Sequence, residues 1–520
     1  MCGIFASLYS EYTIEELTPS IQAIQHRGPD HTEIIQATPD VILGFHRLAI
    51  NDLSPNGNQP MSHPLHPEIK LICNGEIYNY KLLASQFGIP LKSGSDCEII
   101  LHLYKRFGIL ETCKLLDGYF AFVLVDGEKV FVARDIIGVR SLYTGSREKS
   151  IYFASELKAI HDLCESVSQF PPGCYWDGST FTSYHNLYDD ILIELPEDQA
   201  VRFLRQGLER AVEKRVETTE RPIGCLLSGG LDSSIICALV NQSMIQKTGK
   251  PVHTFSIGFE GSTDCYYARM VAKHLGTVHH EVIVTPQDMI EAIPEVIRLI
   301  ESYDTTTVRA STPMYLLCKY ISQHTDVRVV FSGEGSDEVS GSYLYFHQAP
   351  NEKEFHEETL RLVKDLHYFD VLRCDKSTAS NGLEVRVPFL DRDFLQFYLH
   401  LSPSLKMPAK YSIEKYLLRK AFEDLLPNEV TWRIKEAFSD GVSSKEDSWF
   451  SIIQRHVNTL SLKDSERGVY LPPILKETRW YRSIYDKVYH GREELLPYYW
   501  LPRWVGDVSD PSARVLSVYR

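Results

Sequence analysis

IGCLLSGGLDSSIICALV, residues 223–240, is the stretch on which the fold turns. Ile223 to Leu227 is a short apolar run of strand type, Gly229 and Gly230 break it, and Ser234 to Val240 carries an apolar helical pattern. Strand, glycine turn and helix in that order predict a parallel α/β sheet with its active site at the carboxyl ends of the strands. The turn suits an anion. Its glycines let the backbone approach phosphate oxygens, the hydroxyls of Ser228, Ser233 and Ser234 can donate, and the helix start offers N–H groups. Asp232 would repel phosphate unless it holds Mg²⁺, which binds through one or two carboxylates together with phosphates. The competing reading is a plain Gly-Gly turn with Asp232 as a helix N-cap, and no Walker-type GKS or GKT loop is present. A second loop, SGEGSDE at 332–338, ends the apolar run DVRVVF and supplies another carboxylate, Asp337. Two such loops on one sheet can face a single nucleotide.

Outward from this stretch the pattern repeats. VHTFSIGF (252–259) and HHEVIVT (279–285) read as strands, and YYARMVAKHLG (266–276) and ASTPMYLLCKYISQ (310–323) as helices. Pro196, Glu197 and Asp198 form a helix start ahead of QAVRFLRQGLERAVEKRV (199–216), and helical patterns dominate from about Tyr343 onward. Residues 3–184 are different. VILGFHRLAI (41–50), IKLICNG (69–75), YFAFVLVDGEKVFVARD (119–135) and SIYFASE (150–156) are β-rich runs between turns, interrupted by helical TIEELTPSIQAIQ (13–25) and DCEIILHLYKRFG (96–108). This predicts stacked antiparallel sheets covered by a few helices. The expected architecture has two domains, at 2–190 and 196–520: an α+β one, then an α/β one with a helical C-terminal part.

A chain of 520 residues is too long for one ordinary core, and 43% hydrophobic with 24% charged residues is the balance of a soluble protein. The net charge of −15 and the absence of a basic run argue against a nucleic-acid surface. No apolar run reaches the roughly 18 residues of a membrane helix, and no secretory signal is readable, so a cytoplasmic location is expected. The eleven cysteines are odd in number and lack a CxxC pair, which supports neither a disulfide framework nor a zinc site. Cys2 stands apart because removal of Met1 would give it a free α-amino group, whose reference pKa of about 8 makes it a base for the neighbouring thiol.

The motifs now assemble. SGGLDSS resembles the pyrophosphate-binding loop of the ATP pyrophosphatases, which cleave ATP between the α and β phosphates. MCGIFA (1–6), HRGPD (26–30), HRLAI (46–50), NGEIYN (74–79) and GSDCE (94–98) together resemble the class II glutamine amidotransferase domain. Both halves in this order, followed by RASTPMYL (309–316), SGEGSDE, RVPFLD (386–391) and FSDGV (438–442), resemble the glutamine-hydrolysing asparagine synthetases over nearly the whole chain. The resemblance implies an N-terminal nucleophile hydrolase-like first domain and a Rossmann-like ATP pyrophosphatase second domain.

It also implies two sites. At the first, Cys2 would attack the glutamine amide, Asn74 and the N–H of Gly75 would form the oxyanion hole, Arg47 would clamp the α-carboxylate, and Glu76 with Asp96 would receive the α-ammonium. At the second, Leu226, Ile257, Ser332 and Gly333 would hold ATP, and Ser228, Gly229, Gly230, Asp232 and Ser233 would surround the pyrophosphate. Asp232 and Asp337 would ligate Mg²⁺. Lys435 would neutralise charge on the α-phosphate, Glu384 would serve the ammonia attack, and Thr306, Thr307 and Arg309 would bind aspartate. The implied reaction turns aspartate and ATP into β-aspartyl-AMP and pyrophosphate, and ammonia, from glutamine or added free, then gives asparagine. The implied partners are these small molecules, with no nucleic acid and no membrane; a homodimer stays open. A relative that amidates or cyclises another carboxylate is the alternative enzyme reading, and a catalytically dead binding protein the non-enzymatic one. The first commonly lacks the N-terminal cysteine, and the second would be expected to erode Asp232, Asp337, Glu384 and Lys435.

Two positions depart from the family pattern. Ser340, Gly341, Ser342 and Tyr343 stand where an aromatic residue and Gly-Gly usually precede the tyrosine, and Val385 stands where alanine is frequent. If the lost glycine required positive φ, Ser342 would cost about 1 kcal/mol or bend the turn.

Overall fold

In the strand Gly118–Asp126 successive side chains point to opposite faces, and each face has its own core. Phe120, Phe122 and Leu124 pack on Tyr80, Leu83, Ile99, Ile100 and Leu103 from the helices Tyr80–Phe87 and Glu98–Leu115. Ala121, Val123 and Val125 pack instead on Ile4, Ala6 and Leu8 of the strand Gly3–Leu8 and on Leu43 and Phe45 of Val41–Arg47. Each such fully buried Val, Leu, Ile or Phe contributes about 1.5–3 kcal/mol. The result is a pair of six-stranded sheets with helices over the outer face of the second. The first runs Ser166–Gln169, Tyr143–Arg147, Ser150–Ala154, Gly3–Leu8, Val41–Arg47, His31–Thr38. The second runs Phe181–Ser183, Cys174–Trp176, Lys129–Arg134, Gly118–Asp126, His66–Ile77, Met61–His63. Neighbours pair antiparallel throughout. The stacked antiparallel architecture expected from the β-rich runs is therefore present.

This computed structural model describes residues 1–189, 191–436, 438–443, 447–462, 470–506 and 508–512. The helical runs expected in the first part form at Ile14–Gln22, where Thr13 and Glu16 make a reciprocal capping box, and at Glu98–Leu115. The second extends past the expected end at Gly108, which interrupts the helix at φ 76°, a value only glycine adopts freely.

The second part holds a five-stranded sheet in the order Val278–Ile283, His253–Gly258, Ile223–Leu226, Val329–Phe331, Glu384–Arg386. Pairings among the first four are parallel. The helix Leu231–Thr248 follows the central strand, and Thr263–Leu275 and Thr305–His324 belong to the later crossovers. The chain moves outward from Ile223–Leu226 to one side and then returns to Val329–Phe331 on the other, so the strand order reverses between these two. A crevice opens at the carboxyl ends of strands flanking such a reversal, where the loops after Leu226 and Phe331 meet.

By contact density one compact unit is Met1–Leu187 with Thr218–Pro222 and Thr378–Glu384, and the other is Tyr188–Glu217, Ile223–Ser377 and Val385–Arg520. Among the described residues no helix is long and apolar enough to cross a membrane.

Candidate active sites

The alternation that builds the sheet sandwich also places the first site. Cys2 continues the inward face of Ile4, Ala6 and Leu8 and packs against the same core, while Asn74 continues the inward face of Ile72 on His66–Ile77. Asn74 is 0% exposed, and neither its amide nitrogen nor its oxygen has a hydrogen-bond partner. A buried amide left unpaired costs about 1–3 kcal/mol, so such a group marks a place where a ligand completes the bonding. Gly75 lies opposite Phe120, and a Cβ there would fall 2.6 Å from the carbonyl oxygen of Tyr119. Only glycine fits.

Arg27 is buried, donates from Nε to the Cys2 carbonyl at 2.9 Å and from Nη1 to Glu156 at 2.7 Å, and so fixes the backbone that carries the thiol. Burial pushes the Cys2 thiol up to about 11 and the α-amino group of Met1 down to about 6. Both shifts belong to the chain with Met1 in place, whose amine is neutral near pH 7. Asn51 donates to Glu76 at 2.8 Å and to Asp96 at 3.2 Å, and Asp96 also accepts from the N–H of Ile77 at 2.6 Å. Burial raises the Asp96 carboxyl. Two carboxylates held by one amide suit an ammonium group. The Arg47 guanidinium is oriented by the loop beyond it, donating to the Ser54 carbonyl at 2.8 Å, to Asn58 at 2.6 Å and to the Asp52 carbonyl. Arg27 and Asn51 were not singled out in the sequence, although Arg27 lies within the HRGPD motif.

The second site is a cavity of about 180 Å³ in the crevice of the parallel sheet. Gly229 adopts φ 72° against the backbone of Ala268, and a Cβ on Gly333 would fall 2.8 Å from the nitrogen of Ser233. The two glycine loops therefore meet backbone to backbone. Gly230, not Asp232, is the N-cap of Leu231–Thr248, and no side chain caps that end, which leaves its N–H groups to an anion. The capping role considered for Asp232 is thereby corrected. Ser228 and Ser233 face each other at 3.0 Å, and Phe255, Ile257, Met314 and Leu317 supply an apolar wall. Leu226 and Ser332 line the same cavity.

Charge gathers around Asp232 and Asp337. Lys415 Nζ contacts Asp232 and lies 2.5 Å from Asp337, while Lys435 Nζ lies 2.6 Å from the other Asp337 oxygen. Burial alone would raise the Asp337 carboxyl, but Lys415 and Lys435 outweigh it and hold it well below the usual carboxylate range. Burial likewise works to lower Lys435, and Asp337 and Asp232 raise it overall. Lys415 holds φ at 59°, a left-handed conformation that costs a residue with a side chain about 1–2 kcal/mol. Nothing in the sequence pattern distinguished Lys415. The two carboxylates converge on one ammonium, a cation-sized point, and all-oxygen donors suit Mg²⁺ that completes its shell with phosphates and water. Among the described residues no group of three or more His, Cys, Asp or Glu forms a protein-only metal cage.

The remaining expected positions lie as follows. Glu384 does not line this cavity: it is buried, lies 3.8 Å from Arg140, and is the strongest charge acting on the Met1 amine. Among the carboxylates that do line it is Glu334, which burial, with Asp370 and Asp337 against the pull of Arg373, pushes up to about 7. Arg309 does not offer a free fork to a substrate, because Glu477 takes Nε at 2.8 Å and Asp510 takes Nη1 and Nη2 at 3.0 and 2.8 Å. Thr307 is likewise used, donating to Asp304 at 2.8 Å. Of the two threonines only Thr306 has an unpartnered hydroxyl, and it lines the cavity with Glu338. Finally, Ser342 is not strained: the left-handed position is Gly341, at φ 61°.

Comparison with known proteins matches a glutamine amidotransferase domain to residues 1–192 and an asparagine synthase family to residues 204–354 and 347–477. The chain is 45% identical to the glutamine-hydrolysing asparagine synthetase of Gallus gallus, 43% to that of Cricetulus griseus and 42% to that of Homo sapiens. Each alignment spans 100% of this chain and 99% of the relative. With both centres and both halves accounted for, this chain belongs to the glutamine-hydrolysing asparagine synthetase family.

Proposed function

We propose that the chain makes asparagine from aspartate, spending ATP as AMP and pyrophosphate and drawing nitrogen from glutamine, with 2–190 as the glutaminase module and 196–520 as the synthetase module. The observation that carries the reading is the lysine-bridged pair Asp232 and Asp337 at the junction of two glycine loops. Such a cluster answers the charge of a departing pyrophosphate.

At the first centre the Cys2 thiol gives its proton to the α-amino group, which becomes Cys2's own once Met1 is removed, and the thiolate attacks the glutamine side-chain carbon. The carbonyl oxygen takes charge against Asn74 Nδ2 and the Gly75 N–H, where one such donor is worth about 3–4 kcal/mol. The C–N bond breaks, ammonia leaves with the returned proton, and water hydrolyses the thioester to glutamate. Glu76 and Asp96 hold the substrate's α-ammonium and Arg47 its α-carboxylate.

At the second centre aspartate lies between Thr306 and Glu338, and an oxygen of its β-carboxylate attacks the α-phosphorus as the bond to the β-phosphate oxygen breaks. Lys435 and Lys415 balance the charge that moves onto the pyrophosphate. Mg²⁺, held by Asp232 and Asp337 when bound, neutralises the phosphates. Ammonia then attacks the acyl carbon, Glu334 takes the surplus proton with its carboxyl poised near 7, and AMP leaves. A cytoplasmic setting fits eleven cysteines that all remain free thiols.

With ATP, aspartate, Mg²⁺ and ammonium, phosphorus NMR should record AMP and pyrophosphate rising in equal amounts, matched by asparagine in amino-acid analysis of the same samples. Stoichiometric ADP and inorganic phosphate would overturn the assignment.

A further inference from the structure

The loop after the second phosphate turn carries the family departure, Ser340-Gly341-Ser342, and the structure gives it a task. Ser342 is 0% exposed, and its hydroxyl donates to Asp337 Oδ1 at 2.7 Å. Its backbone N–H donates to the Asp337 carbonyl at 3.0 Å, so main chain and side chain of one residue grip another five positions earlier. Ser340 backs this contact, with its Oγ 2.9 Å from Ser342 Oγ and 2.5 Å from the Ser336 carbonyl oxygen. Gly341 makes the geometry feasible: at φ 61° it turns the chain back over the short helix Ser336–Ser340, and a Cβ there would strike Phe355 at 2.4 Å. The partner carboxylate is served in the same way, since Ser336 Oγ donates to Asp232 Oδ1 at 2.8 Å. Each member of the acidic pair therefore has one oxygen fixed by a serine of this loop.

Asp337 has little freedom left. Oδ1 takes Ser342 and Lys415 and Oδ2 takes Lys435. Phosphate oxygens would compete with Asp337 for Lys415 and Lys435. The hydroxyl of Ser342, which is neutral, would not be drawn away in this manner. We propose that Ser342 is a positioning residue for nucleotide binding: through its hydroxyl on Asp337 it sets the affinity for Mg²⁺-bound ATP in this chain. The inference rests on the reading of Asp232 and Asp337 as the Mg²⁺ and pyrophosphate site.

The test is calorimetric titration of the full-length protein with Mg²⁺ and ATP in the absence of aspartate. A hydrogen bond to a charged group is worth at least about 1.4 kcal/mol, so Ser342→Ala and Ser342→Gly should each weaken binding about tenfold or more. Ser342→Thr keeps the hydroxyl and should stay within about threefold. Glutamine hydrolysis, followed in parallel, should be unchanged in all three, and each should still unfold cooperatively above the assay temperature. Binding by Ser342→Ala within twofold of the parent overturns the proposal, and so does equal weakening in Ser342→Thr. Should Ser342→Ala fail to fold, Ser342→Gly against Ser342→Thr decides alone, since one lacks the hydroxyl and the other keeps it. Failure of the parent itself to bind Mg²⁺ and ATP would overturn the site assignment instead, a result distinguishable from either.

Discussion

At the scale of single residues, chemistry follows surroundings more than identity. Glu334 sits inside SGEGSDE with Asp337, yet its proton affinity also comes from burial and from Arg373 and Asp370, which no spacing rule connects to it. Glu384, the carboxylate that the family motif brought forward, is buried beside Arg140. Glu334→Gln should therefore slow ammonia-dependent asparagine formation about 100-fold, the usual worth of a general base. It should leave ATP–pyrophosphate exchange within a few-fold, since adenylation needs no base there. A base raised to about 7 is protonated below that pH, so kcat/KM for ammonia-dependent synthesis in the parent should fall about tenfold per unit as pH drops below 7, after correction for free ammonia. A flat corrected profile between pH 5.5 and 7.5 would count against Glu334.

At the scale of elements, the helix Thr305–His324 shows how one side chain can serve architecture instead of a ligand. Arg309 ties this helix to Glu477 on Lys476–Val488 and to Asp510, with its guanidinium 4.8 Å from the Phe450 ring. Removing one partner of a buried ion pair strands the others, at a cost of about 3–5 kcal/mol. Arg309→Ala should lower the urea-unfolding stability of the second unit by that amount. Arg309→Lys should recover little of it, because an ammonium cannot make two bidentate contacts. If Arg309→Ala melts like the parent and only its KM for aspartate rises, the residue binds substrate after all.

At the scale of the whole molecule, the thiol centre lies in the first compact unit and the nucleotide cavity in the second. Each chemistry should then fail alone. Cys2→Ala should abolish glutamine-dependent synthesis, at least 1000-fold for loss of the nucleophile, while synthesis from added ammonium stays near parental rates. Lys435→Ala should do the reverse, ending synthesis from either nitrogen source and sparing glutamine hydrolysis. Assays of glutamate, asparagine and pyrophosphate on the same preparations separate the outcomes, and loss of both activities in either folded variant would contradict two independent centres.

Sequence by itself determined what local patterns can carry. The β-rich runs of 41–50, 69–75, 119–135 and 150–156 pointed to stacked antiparallel sheets, the strand and glycine turn of IGCLLSGGLDSS to a parallel sheet with an anion loop, and the motifs of both halves to Cys2 and Asp232. These follow from backbone geometry and turn chemistry, which act over a few residues. Tertiary structure alone decided which charges meet. Lys415 reaches Asp232 across 183 positions, Asp510 reaches Arg309 across 201, and Gly341 in place of Ser342 takes the left-handed turn that frees a serine hydroxyl for Asp337. Proton affinity, ion pairing and the orientation of a carboxylate depend on burial and on neighbours brought together by the fold, and these distances in sequence leave no periodic trace.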